Sequence, residues 1–101
     1  MGMTPLILAS SAGKKGVVNI LLKEQANVNA QNNGGHSALQ YAASKNWQSI
    51  CDELLKHNAD INISDKRGAT PLHRAASKGN IQIVQLLVQD ERLNISEYLL
   101  K

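Results

Sequence analysis

The strings Thr4-Pro5-Leu6, Ser37-Ala38-Leu39 and Thr70-Pro71-Leu72 stand 33 residues apart, and that interval governs most of the chain. Ala9, Ala42 and Ala75 fall on it, as do Val17, Ile50 and Ile83, then Val18, Cys51 and Val84, then Leu21, Leu54 and Leu87. Two copies also close alike, on Ala26-Asn27-Val28-Asn29 and Ala59-Asp60-Ile61-Asn62. Several independent positions thus hold one register over three copies. A period of this length marks a stacked array. Each unit is too small to cover its own apolar face and buries it against the next, so about three units are the minimum for stability.

Each copy reads as a turn and two helices. Gly34-Gly35 and Asp65-Lys66-Arg67-Gly68 supply the backbone freedom of a tight hairpin tip. Thr70 is placed to cap a helix that opens on Pro71, where a missing N–H costs nothing. Small residues such as Ala42-Ala43 and Ala75-Ala76 fill the first helix and allow close approach of a neighbour. Gly13, Asn46 and Gly79 end that helix, being tolerant of the left-handed turn required there. Ile83, Leu86 and Leu87 then give the second helix a buried stripe. The expected architecture is all-α: one domain over residues 1–101, a solenoid of stacked helix-turn-helix units with hairpin-like turns. Repeats are expected at about 2–32, 33–65 and 66–96, followed by an atypical tail at 97–101.

The ends of the array depart from the pattern. The first copy opens at Met3-Thr4 with no hairpin sequence before it, and after Val88 the third copy runs one residue short of the register. Such ends are expected of a piece of a longer array. Terminal repeats need a polar outer face, and Leu99-Leu100 is expected to fold back as a makeshift cap. The chain is expected to be a monomer, with self-association through its uncapped ends as the alternative.

Composition narrows the function. With 3% aromatic residues and no Phe, the core must be Leu, Ile, Val and Ala, which suits closely packed helical layers. The net charge is +3, but the longest basic run is the pair Lys14-Lys15, and Tyr41, Trp47 and Tyr98 form no stacking array. A nucleic-acid partner is therefore not expected. Cys51 is the only cysteine, which excludes an internal disulfide and fits a reducing compartment, cytoplasm or nucleus. No segment has the length of a membrane span, and no membrane partner is expected. The glycosylation patterns Asn62-Ile63-Ser64 and Asn94-Ile95-Ser96 have no consequence without secretion.

Thr70-Pro71-Leu72-His73-Arg74-Ala75-Ala76, at this period, closely resembles the consensus of the ankyrin repeat family. Within the family, Tyr41-Ala42-Ala43-Ser44-Lys45-Asn46, followed by His73-Arg74-Ala75-Ala76-Ser77-Lys78-Gly79-Asn80, is similar to the gankyrin-like chaperones of the proteasome regulatory particle. Leu8-Ala9-Ser10-Ser11-Ala12-Gly13 fits the same succession. That resemblance implies a scaffold binding the C-terminal domain of a proteasomal ATPase subunit through its concave face, with Lys45 and its counterpart Lys78 on the partner-facing side. The alternative is a generic ankyrin adaptor or part of a larger signalling protein. The Leu-x-Cys-x-Glu motif of the group is not reproduced, since Ser49 stands where its Leu would be.

Nothing in the sequence assembles a reacting constellation. His73 is expected to bond the neighbouring turn backbone, His36 lies at a hairpin tip and His57 near a helix end that favours a cation. No two histidines have metal-ligand spacing, and Cys51 takes the slot of Val18 and Val84 as a small buried hydrophobe. Gly13-Lys14-Lys15-Gly16 lacks both the earlier Gly and the Ser or Thr of a phosphate loop. No enzymatic activity, cofactor, metal or small-molecule substrate is expected.

What remains is the concave surface. In an ankyrin array the hairpin tips and first helices line one face. The period assigns to it Asn33, His36, Tyr41, Ser44 and Lys45 from the second copy and Lys66, Arg67, Arg74, Ser77 and Lys78 from the third. The set is basic and rich in hydrogen-bonding groups, so an acidic protein surface is its complement. Tyr41, Arg67 and Arg74, with Trp47, are the residue types that anchor interfaces. Trp47 has a second reading, as cover for the corner between helix and turn.

Overall fold

A hydroxyl starts the first helix of every copy. In the computed structural model, which describes residues 2–99, Thr4 Oγ1 accepts from Ile7 N at 3.1 Å, Ser37 Oγ from Gln40 N at 3.3 Å and Thr70 Oγ1 from His73 N at 3.4 Å. In the second and third copies the bond is reciprocated. Ser37 N donates to Gln40 Oε1 at 2.9 Å, and Thr70 N donates to His73 Nδ1 at 3.0 Å. These boxes satisfy backbone donors that a helix start otherwise leaves without partners. Pro5 and Pro71 occupy the first helical turn, where no N–H is missed.

The helices that follow are α1 (Pro5–Ser11), α2 (Lys15–Lys23), α3 (Ala38–Ser44), α4 (Gln48–Lys56), α5 (Pro71–Lys78), α6 (Ile81–Gln89) and α7 (Ile95–Leu99). Among the described residues there is no strand, as the sequence led us to expect of an ankyrin-type stack. Each pair is joined by a residue in the left-handed region: Gly13 at φ 73°, Asn46 at φ 66° and Gly79 at φ 70°. Gln25 and Asn58 do the same at the ends of α2 and α4.

The pairs pack in two layers, α1, α3 and α5 in one, α2, α4 and α6 in the other, giving a slab of 38 × 25 × 21 Å. Ala9, Ala42 and Ala75 are buried at the same place in successive copies, and the absence of larger side chains there lets α1, α3 and α5 run side by side. Leu54 and Leu87, buried completely, form the seam of the second layer. Leu86, expected on the buried stripe, is half-buried and packs against the edge of the core.

Loops are stitched in the same register. Asn32 N donates to His36 O at 3.0 Å and Asp65 N to Ala69 O at 2.9 Å, closing the two hairpins. Lys66 N donates to Gly34 O at 3.1 Å, laying one tip on the other. A Cβ on Gly35 would stand 2.9 Å from Asp65 Cα, so glycine is needed for that approach. Gln31 Nε2 donates to Ser64 O at 3.0 Å, and Gln40 Nε2 to Ala69 O at 2.7 Å, each reaching into the next copy.

One expectation fails at the C-terminal end. Leu99 is 76% exposed and caps nothing, while Leu100 lies outside the described residues. Tyr98 is the residue that folds back. Its hydroxyl donates to Thr70 Oγ1 at 2.6 Å, and its ring lies 5.2 Å from that of His73. A phenol can cover an apolar surface and still satisfy the polar cap of α5; a leucine side chain cannot. Helix α7 thus begins within the stretch read as the third repeat and stands where a further hairpin would sit.

The stacking makes a direct prediction. Leu54→Ala, in the central seam, should cost about 2–5 kcal/mol, read as a large fall in the midpoint of thermal or urea unfolding. Gln48→Ala on the exposed start of α4 should leave the midpoint unchanged. Equal effects from the two substitutions would contradict the packing.

Candidate functional site

The concave face is built by the two hairpins and the first helices. His36, Gln40, Tyr41, Ser44 and Arg74 line one hollow, and Gly34, His36, Lys66, Arg67 and Arg74 line its neighbour. His36 and Arg74 are common to both, so six of the ten residues assigned from the period form one continuous groove. The other four lie outside it. Asn33 is exposed at the first hairpin tip beside Gly2, and Ser77 and Lys78 are exposed at the end of α5. Lys45, at the end of α3, donates to Ser11 Oγ at 2.8 Å across the junction with the first copy.

The groove is organised by a residue that the sequence reading used only as part of a turn. Asp65 is buried at the root of the second hairpin. Its Oδ1 accepts from Arg67 N at 2.9 Å and Ala69 N at 3.0 Å, which holds the tip closed. Its Oδ2 accepts from Arg74 Nη2 and faces His36 Nε2 at 3.5 Å. Burial alone would raise the carboxyl pKa, but the Arg74 guanidinium and the two backbone donors outweigh it and hold the group below the ordinary aspartate value.

One copy earlier the same post is neutral. Asn32 Oδ1 accepts from Gly34 N at 3.0 Å and His36 N at 2.9 Å, and its Nδ2 donates to Tyr41 OH at 3.0 Å. Asn32 and Asp65 are related by the period, and so are Tyr41 and Arg74. Each pair braces a hairpin against its own first helix. Tyr41 and Arg74, read from the sequence as interface anchors, are therefore held in place from below, with Arg74 presenting about a third of its side chain to the groove (34% exposed). The charge of Arg74 is already matched by Asp65. The groove's available positive charge comes from Lys66 and Arg67, which are exposed.

Trp47 has the second of its two readings. Its Nε1 donates to Ser11 O at 3.1 Å, and its ring lies so close over Gly13 that a Cβ there would come within 2.7 Å. Asn80, one period later, performs the same task by donating to Ala43 O at 2.7 Å and Ser44 O at 3.2 Å. Both side chains cap the preceding copy's first helix. His57 Nδ1 lies 3.0 Å from Glu53 O at the end of α4. Cys51 is buried, and burial, followed by the nearby Asp52 charge, pushes its thiol up to about 12, which keeps it an unreactive part of the core. Among the described residues no three His, Cys, Asp or Glu side chains converge as metal ligands, and no helix is long and apolar enough to cross a membrane.

A family model described as ankyrin repeats (3 copies) matches residues 6–98. A comparison with curated proteins finds no match.

The Asp65 brace predicts a dependence on pH. The unfolded chain titrates near the ordinary aspartate value, about 3.9, and the folded chain below it. The stabilisation is thus complete at neutral pH and fades as the pH falls through the folded-state value. Asp65→Ala should cost roughly 1.5–3 kcal/mol at pH 7, the scale of a hydrogen bond to a charged group. Asp65→Asn should cost less, because an amide oxygen can still accept as Asn32 does. In urea unfolding, the gap between wild type and Asp65→Asn should close in acid; a gap independent of pH would contradict the ion pair.

Proposed function

The chain belongs to the ankyrin repeat family, and we propose that its groove docks an acidic surface of a partner protein in the manner of the gankyrin-like chaperones, the partner being the C-terminal domain of a proteasomal ATPase subunit. Ankyrin repeats are a protein-interaction module and act without catalysis. The more specific reading is supported by the paired strings around Tyr41-Ala42-Ala43-Ser44-Lys45-Asn46 and His73-Arg74-Ala75-Ala76-Ser77-Lys78. It is supported above all by the disposition of charge. Lys66 and Arg67 at the hairpin tip bring exposed cations to the groove itself, and Lys45 and Lys78, outside it at the far ends of α3 and α5, add exposed positive charge to the same layer of first helices. Such a distribution of charge attracts a carboxylate-rich surface and fixes its orientation. On this reading the chain works in the cytoplasm or nucleus.

Arg74 is a poor residue with which to test the idea, because reversing its charge beside Asp65 would also break the hairpin. The exposed lysines are better. Lys45→Glu, Lys66→Glu and Lys78→Glu combined should leave the thermal midpoint nearly unchanged and lower affinity for a purified proteasomal ATPase C-terminal domain by roughly tenfold or more at low salt, mainly through the association rate. Failure of the unaltered chain to bind that domain would remove the proteasomal partner and leave a general ankyrin adaptor. Full binding by the triple variant would remove the groove as the docking face.

A further inference from the structure

Of the ten asparagines in the chain, five precede Ile or Val, two precede Ala, and one each precedes Asn, Trp and Gly. The last is Asn33, at the tip of the first hairpin, followed by Gly34 and Gly35. Asparagine is chemically labile, most of all where the next backbone nitrogen can reach its side-chain carbonyl carbon. A following side chain hinders that approach; a glycine leaves the backbone free to make it. Asn33 is also exposed. Lys66, at the same place in the next copy, is exposed although the first hairpin tip lies against it, so exposure belongs to the position.

The fold holds the attacking atom back. Gly34 N donates to Asn32 Oδ1 at 3.0 Å, and Gly35 N closes the turn on Asn32 O at 2.9 Å. While Asn32 holds the Gly34 N–H, that nitrogen is not free to lose its proton and attack. Asn32 is fixed in turn by its Nδ2, which donates to Tyr41 OH at 3.0 Å. The other acceptor of Nδ2, Met3 Sδ at 3.3 Å, is a weak one.

We propose that Asn33 is a site of spontaneous modification, converting to aspartate and isoaspartate at a rate set by the Asn32–Tyr41 brace. When the turn opens, Gly34 N gives up its proton and bonds to Asn33 Cγ. The Cγ–Nδ2 bond breaks, ammonia leaves, and a cyclic imide remains. Water then adds to one of the two imide carbonyls. Addition at Cγ gives aspartate; addition at the backbone carbon gives isoaspartate, whose main chain runs through Cβ and Cγ. Either product puts a carboxylate where the next copy has Lys66, and the one added charge lowers the net charge from +3 to +2. Isoaspartate also lengthens the main chain beside Gly34 O, which accepts from Lys66 N at 3.1 Å. Conversion thus removes positive character from the hairpin edge of the groove and loosens a bond between copies.

The test holds the folded whole chain in mildly alkaline buffer and follows every asparagine by peptide-mapping mass spectrometry, with enzymatic methylation to count isoaspartate. Position 33 should convert first. Tyr41→Phe removes the hydroxyl that steadies Asn32 and should speed conversion there by roughly two- to tenfold, the equilibrium weight of one hydrogen bond. Asn32→Asp places at this post the acceptor that the next copy has. A charged acceptor holds an N–H more tightly, so conversion should slow by a similar factor. Native circular dichroism and unchanged rates at the other asparagines separate release of this turn from general unfolding. Earlier conversion at another asparagine overturns the proposal. So does an unchanged position 33 over a period in which a urea-unfolded sample converts. A rate in either variant equal to that of the unaltered chain, or moved in the opposite direction, overturns the control by the brace.

Discussion

Everything in this molecule follows from side chains that a single helical pair cannot hide. Ile50 and Leu55 both lie on α4, which packs against α2 on one side and α6 on the other. Both are out of water only because a neighbour lies on each side. The cost of fixing the backbone of each copy, about 1–2 kcal/mol per residue, is offset by burial across these faces. The middle copy, covered on both sides, has the most complete core: Leu39, Ala42, Ala43, Cys51 and Leu54 all have almost no exposure. Val17 in the first copy and Val88 in the third, by contrast, are exposed.

The hairpins depend on that stack and in turn shape the concave surface. Hydrogen bonds between copies, from Gln31 to Ser64, from Gln40 to Ala69 and from Lys66 to Gly34, set the tips at a fixed spacing. Within a copy, an Asn or Asp at the hairpin root ties the tip to the first helix. Where that residue is Asn32, the brace is neutral and ends on Tyr41; where it is Asp65, the brace is charged and ends on Arg74. The groove is therefore a rigid surface of matched side chains with cations added at its border, which is the kind of preorganised face that loses little entropy on binding.

Much of the fold could be read from the sequence because its determinants are local. Thr70 and Pro71 start a helix by chemistry confined to one turn, Gly79 ends it by backbone freedom alone, and the aliphatic register repeats too often to be misread. The groove was less legible. The bond between Asp65 and Arg74 joins residues whose meeting depends on how the hairpin leans on α5, and only a comparison with Asn32 and Tyr41 one period earlier hints at it. Trp47 looked like an interface anchor because tryptophans often are; its partner, Ser11 O, lies in another copy and has no side-chain signature. At the C-terminal end hydropathy pointed to Leu99, whereas the surface to be covered includes the Thr70 hydroxyl, which called for the phenol of Tyr98.

The claim under all of this is that a copy is stable only between neighbours. It is tested most directly by far-UV circular dichroism of a synthetic peptide spanning residues 33–65, the copy with the fullest core, in dilute neutral buffer. Without α1 and α2 on one side and α5 and α6 on the other, its spectrum should be that of a disordered chain. A helical spectrum that does not change with peptide concentration would show that the unit folds unaided, and would contradict the account.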